Sequence, residues 1–228
     1  PKPNPKSKPK STPSSYAPPS VYAHLPSLPD ALAPNLHILF CGLNPGVRTA
    51  TTGHAYNHPS NRFWKLMLSS GILPVPCTAE EDRSLPQRFR LGLTNIVTRP
   101  SRSGAELSKA EMDEGVGVLE EKVARWRPEV VCIVGKSIWE SVWRVRHGGK
   151  GIKKSEFRYG WQDEGENVGS GKVVDEDRLE GVVYRPDWKG AKVFVATSTS
   201  GLAATPRADE RETIWRELGA WVEQRRVE

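Results

Sequence analysis

The sequence predicts an α/β fold, a three-layer αβα sandwich around a mainly parallel central sheet of about four to five strands. Three observations carry that expectation. Strand-like runs recur at 36–41, 92–97, 130–134 and 193–196, and 38–41, 130–134 and 193–196 are unbroken and apolar, as strands buried on both faces require. Stretches with apolar residues at helical spacing lie between them. Each run stops at a glycine or a small polar residue: Gly42, Thr98, Gly135 and Thr197.

Taken in order, residues 1–30 read as a disordered basic tail. Nine of the chain's 19 prolines fall there, with lysines at 2, 6, 8 and 10, and the first acidic residue is Asp30. Such a segment has too little apolar surface to offset its ordering entropy. It is a solvated linker, a weak phosphate attractor or a nuclear-import signal. A single domain is expected over 31–228. Its first strand is 36–41. A helix over 60–70 presents Phe63, Trp64, Met67 and Leu68 on one face and stops at Gly71. A possible helix at 79–89 precedes the strand at 92–97. Ser108 and Glu111 form a capping box, opening a helix with apolar Met112, Val116, Leu119, Val123 and Trp126, which Pro128 closes. The strand at 130–134 leads through Gly135 and Lys136 into a helix at 137–145. Residues 146–190 hold nine glycines among many charges and read as an insertion of loops or a hairpin. The last strand, 193–196, passes through a serine-rich loop to a helix capped by Thr205-Pro206, with Ile214, Leu218, Trp221 and Val222 as its core stripe.

The 228 residues include eight tryptophans and are 37% hydrophobic, enough for one packed core. A net charge of +6 favours a polyanionic partner. No apolar run approaches a membrane span, so no membrane partner is expected. Cys41, Cys77 and Cys132 are widely spaced thiols, which suits a reducing compartment, nucleus or cytosol. No Cys/His cluster has zinc spacing. His54 and His58 are four apart, but Gly53 and Pro59 keep them off one helix face. Neither a metal nor a cofactor is expected.

The strongest signal is Gly42-Leu43-Asn44-Pro45-Gly46, directly after the first strand. Two glycines and a proline fix a tight loop around one carboxamide. Open α/β sheets carry their chemistry in loops at the carboxyl ends of strands. About ten residues on comes Gly53-His54-Ala55-Tyr56-Asn57-His58-Pro59-Ser60-Asn61-Arg62-Phe63-Trp64-Lys65. The paired motifs resemble the mismatch-specific uracil- and thymine-DNA glycosylases, a branch of the uracil-DNA glycosylase superfamily. The resemblance covers about residues 31–223, apart from much of 146–190, where Tyr159-Gly160-Trp161-Gln162 resembles a short element before the last strand.

The resemblance implies a monofunctional DNA glycosylase that flips uracil, or thymine and modified pyrimidines, out of G·U or G·T mispairs in double-stranded DNA. It implies Asn44 as the water-positioning catalytic residue. Gly42, Leu43, Thr49, Tyr56 and Asn95 would form the substrate pocket, with Tyr56 stacking on the base. Ser198, Ser200, Gly201, Leu202 and Ala203 would contact DNA, with Leu202 as an intercalating wedge, and Lys136 would add a charge near a phosphate. The loop departs from the bacterial Asn-Pro-Ser-Gly-Leu form and is closer to the serine-rich animal one, while its leucine is of the bacterial kind. An amide cannot act as a general base at neutral pH, so a slow enzyme is expected, dependent on leaving-group quality. No lysine in these motifs is placed to form a Schiff base, so no lyase step is expected. A monomer acting in the nucleus, at the start of base excision repair, completes this expectation. Two alternatives stay open: a non-catalytic binder of mismatched or damaged DNA, and a doubly wound small-ligand domain. Pro45 speaks against the latter, because it removes an N–H that a phosphate cradle would use.

Overall fold

The structure, a computed structural model, describes residues 17–201, 203 and 206–227. A five-stranded sheet lies at its centre in the order β2-β1-β3-β5-β4. The strands are β1 (Ile38–Gly42), β2 (Leu91–Asn95), β3 (Val130–Val134), β4 (Gly160–Trp161) and β5 (Lys192–Ala196). All pair in parallel except β4, which runs antiparallel to β5 at the edge. The helices are α1 (Val47–Thr52), α2 (Phe63–Ser69), α3 (Leu85–Phe89), α4 (Lys109–Trp126), α5 (Lys136–Arg146) and α6 (Ala208–Val227).

Strand alternation sorts the core into two layers. Ile38, Phe40, Val130, Cys132 and Phe194 face α2, α3 and α6, where they meet Phe63, Met67, Leu85, Trp215 and Leu218. Leu39, Cys41, Val131, Ile133 and Val195 face α4 and α5, meeting Val116, Leu119, Val123, Ile138 and Trp139. Both faces of the sheet are therefore dry, as continuous apolar strands demand, and the expected αβα sandwich is what forms. The capping box of α4 is present in both directions between Ser108 and Glu111.

Several local expectations need correction. The ordered chain begins before residue 31. Pro19–Tyr22 forms a 3-10 turn, the Tyr22 hydroxyl donates to Glu106 at 3.2 Å, and Asp30 pairs with Lys122 at 2.5 Å. Isolated anchors hold this segment although its composition resembles that of a linker. Residues 1–16 of the expected tail lie outside the described residues. Helix α2 starts at Phe63, and its buried face is Phe63, Leu66 and Met67, leaving Leu68 exposed. The stripe of α6 centres on Trp215, Leu218 and Val222, with Ile214 and Trp221 only half-buried. Helix α1 was not anticipated. Its Val-Arg-Thr-Ala-Thr-Thr sequence has no apolar period, and Gly46 provides no side-chain cap. The insertion at 146–190 is largely loop and 3-10 turn, and its Tyr159–Gln162 element supplies β4.

Candidate active site

The order of strands reverses between β1 and β3, since β1 leads leftward to β2 and the chain then crosses to β3. Crevices at such switch points, at the carboxyl ends of strands, are the usual ligand sites of open α/β sheets. Here a cavity of about 720 Å³ opens at that edge.

Its first wall grows out of β1. The pairing of β1 and β2 continues past the strands: Leu43 O accepts from Val97 N at 3.0 Å, and Pro45 O from Ser101 N at 3.1 Å. This zipper sets Asn44 against the 99–101 segment. Asn44 Nδ2 donates to Arg99 O at 3.0 Å and to Ser101 Oγ at 2.8 Å. The orientation of the amide follows from its partners. A carbonyl can only accept, and the Ser101 hydroxyl proton is committed to Ser103 O at 2.8 Å. Both amide hydrogens are thus occupied, and Oδ1 remains the atom with acceptor capacity to spare. Asn44 is half-buried and lines the cavity. The segment behind it is fixed in turn: the Arg99 guanidinium grips both carboxylate oxygens of Glu111 and the carbonyl of Glu106. The Arg99 contact, aided by the Ser108 backbone, holds the Glu111 carboxyl down at about 2.

The second wall is the 53–65 segment. Tyr56 has a positive φ of 56°, a left-handed conformation that a tyrosine rarely adopts. Neighbouring contacts enforce it. Ala55 N donates to the buried Asp82 carboxylate at 2.7 Å, and Ala55 O accepts from Trp64 Nε1 at 3.2 Å. One face of the Tyr56 ring stacks on Phe63 at 3.8 Å. Its hydroxyl is buried with no partner among the described residues. Burial holds that phenol well above its ordinary pKa, so it stays neutral. Gly42 is required here: a Cβ on it would stand 2.7 Å from both the Tyr56 hydroxyl and Asn95 Oδ1. Leu43, Thr49, Tyr56 and Asn95 all line the cavity with Gly42.

The third wall is the loop after β5. Thr197 Oγ1 accepts from Trp215 Nε1 at 3.0 Å, and Thr199 O accepts from Arg62 N at 2.9 Å, tying this loop to the second wall. A Cβ on Gly201 would lie 2.6 Å from Ser60, so the two segments meet at van der Waals limits. Ser198, Ser200 and Gly201 line the cavity. Ala203 lies below the rim, its carbonyl held by the buried Arg211 at 3.0 Å. Leu202 lies outside the described residues. Lys136 is not brought into the cavity wall. It starts α5 at the same sheet edge, where its ammonium sits 4.6 Å over the Phe157 ring and 3.7 Å from Glu140. Sequence reasoning missed Ser101, Arg99 and Asp82, whose contacts to Asn44 and Ala55 are tertiary and leave no local pattern.

No lysine lines the cavity among the described residues. Burial pushes the Cys41 thiol up to about 12, so it stays protonated behind the first wall. What the site offers is an aromatic platform, the carboxamides of Asn44 and Asn95, and a hydroxyl-rich rim. It can hold a flat polar ring and fix a water molecule, and its described lining presents no lysine or thiolate for covalent catalysis.

An αβα sandwich with a cavity at its switch point places the chain in the doubly wound α/β class. The chain matches the sequence model of the Uracil DNA glycosylase superfamily over residues 29–219, and it belongs to that superfamily. It is 38% identical over 196 residues to a G/U mismatch-specific uracil DNA glycosylase of Schizosaccharomyces pombe, covering 85% of this chain. The chain spans about half, 53%, of that relative's length. The solution NMR structure of a Methanosarcina acetivorans protein assigned to the uracil DNA glycosylases shares the fold. Its TM-score is 0.54 at 18% identity, over 87% of this chain and 98% of that one.

Proposed function

We propose that this protein is a monofunctional DNA glycosylase that flips uracil out of G·U mispairs in double-stranded DNA and hydrolyses its N-glycosidic bond, starting base excision repair. Thymine and modified pyrimidines are further substrates of the same pocket, ranked by how well the base leaves. The protein acts as a monomer, and its basic N-terminal sequence suits work in the nucleus. The observation that carries the reading is the locked amide of Asn44, whose free acceptor Oδ1 belongs to the cavity wall.

The mechanism follows from that lock. Tyr56 receives the extruded base on the ring face opposite Phe63, and Asn95 offers a donor and an acceptor to the pyrimidine edge. Water donates a hydrogen bond to Asn44 Oδ1, which aims its lone pair at the sugar as the bond breaks dissociatively. The water oxygen bonds the sugar carbon as the base leaves with the bond's electron pair. An amide takes no proton, so the proton water releases goes to solvent or the departed base anion, and rate depends on stabilising that anion as it leaves. Ser198, Ser200 and Gly201 meet the DNA backbone and the opposite base, Leu202 fills the vacated stack, and Lys136 adds charge nearby.

The test is abasic-site formation on a G·U duplex, with a matched A·T duplex as the control. Alkali-labile product from the first and none from the second is the expected result. Tight binding to the G·U duplex with no base release would instead make the protein a mismatch binder.

A further inference from the structure

Most arginines of this chain are engaged. They pair with carboxylates, as Arg88, Arg99, Arg144 and Arg146 do, or they bond carbonyls or stack on rings, as Arg127 does. Among the described residues, four arginines have no side-chain hydrogen bond, ion pair or ring contact: Arg48, Arg62, Arg102 and Arg185. Two of the four line the cavity, and a third adjoins its lining. Arg48 in α1 and Arg102 beside Ser101 both line it. Their two segments are joined by the Gly46–Ser101 bridge, so they share the Asn44 wall. Arg62 follows Asn61, which lines the cavity from the 53–65 segment, and its backbone N–H donates to Thr199 O of the serine-rich loop. All three side chains are exposed.

The acids nearby form no ion pair with them: Glu80 acts on Arg48 only through space, and Glu106 accepts from the backbone N–H of Arg102. The two carboxylates in the cavity wall are already committed, Asp30 to Lys122 and Thr94, Asp82 to His54 and to the backbone of Ala55. Beneath the serine-rich loop lies a fourth cation, Arg211, which is 3% exposed. It bonds only carbonyls, at Ala203 and Pro206, and its Nε has no partner among the described residues. An exposed arginine left unpaired gains from a phosphate what its neighbours gain from Asp or Glu. Cations on two sides of one opening suit a single polyanion running across it.

We infer that Arg48 and Arg102 on one wall, and Arg62 on the other, form a two-sided clamp on the DNA phosphates that flank the extruded nucleotide. This rests on the glycosylase reading and adds the groups that hold the backbone while the base is out. Chain order places them well, since each stands within four residues of a group already assigned to the site: Asn44, Ser60 or Ser101.

The experiment measures the salt dependence of affinity for a G·U duplex whose uridine carries a 2′-fluoro group that resists cleavage. Each phosphate contact contributes about 0.9 to the slope of log K against log salt. The triple R48Q/R62Q/R102Q variant should lower that slope by about 2.7 (three contacts at about 0.9 each). The triple lysine variant, which keeps the charges, should keep the slope. R185Q, at the opposite edge of the sheet, should leave both slope and base release unchanged. An unaltered slope in the triple glutamine variant overturns the clamp, as does an equal loss in the lysine variant. Failure of the wild-type protein to bind the duplex at all would instead overturn the glycosylase reading on which the clamp rests.

Discussion

The carboxyl and amino edges of the sheet use the same kinds of residue in opposite ways. At the amino edge, most polar groups find partners, although Arg127 Nε is buried without one among the described residues. Glu129 bridges His37 at 2.7 Å and Arg225 at 2.8 Å, and Arg127 lies between the rings of Tyr184 and Trp188 while bonding Arg185 O. At the carboxyl edge, satisfaction is one-sided. The amide hydrogens of Asn44 are used, Tyr56 stacks on one face, and among the described residues the Asn44 oxygen and the side chains of Arg48, Arg62 and Arg102 have no hydrogen-bond partner. Pairing of charge with charge and ring makes a staple, whereas half-completed pairing around a cavity on a rigid backing makes a site, because what remains unpaired is held in position for something else.

That contrast can be broken or sharpened by substitution. The largest effect short of Asn44 itself should come from Tyr56→Ala. Losing the stacking platform costs about 1–3 kcal/mol per base, a roughly fivefold to 150-fold drop in kcat/KM for uracil release, with slight loss of Tm from the broken Phe63 stack. At the opposite edge, Arg127→Ala should lower stability by about 1–2 kcal/mol through lost ring contacts, read as a lower Tm. Its single-turnover rate should match wild type; a slow Arg127 variant would blur the distinction between edges. Ser101→Ala removes one of the two acceptors that orient Asn44. A hydrogen bond worth about 1 kcal/mol predicts a rate about fivefold lower, with duplex affinity retained.

The smallest effect concerns pH. Arg99 lowers the Glu111 carboxyl from its ordinary value of 4.5 to about 2, so folding favours the ionised form. The stability this supplies is complete above about 4.5 and is lost as pH falls toward about 2. Glu111→Gln should flatten the fall of Tm in that window and loosen the Arg99 segment behind Asn44. An equally steep acid transition in the variant would remove Glu111 from the account.

The sequence disclosed the scaffold well and the site in part. Strands announce themselves because a doubly covered sheet tolerates no polar residue in its centre, and α4 did so through Ser108 and Glu111. Helix α1 gave no such sign, since it is short and its faces do not differ in polarity. Asn44 was legible because glycine and proline around one amide are an unusual local arrangement. Its orientation was not, because Arg99 and Ser101 are more than 50 positions away and meet it through the β1–β2 zipper. The segment before residue 31 misled for a related reason: Tyr22 and Asp30 are single anchors whose partners, Glu106 and Lys122, lie far along the chain.

The central claim is that Asn44 aims water without taking its proton. Single-turnover uracil release from a G·U duplex by Asn44→Ala, with duplex affinity measured in parallel, tests it most directly. The account predicts a loss on the order of 10²–10³-fold, the scale on which a preorganised polar group acts in a catalytic site, with affinity nearly unchanged. Release at the wild-type rate by the alanine variant would contradict it.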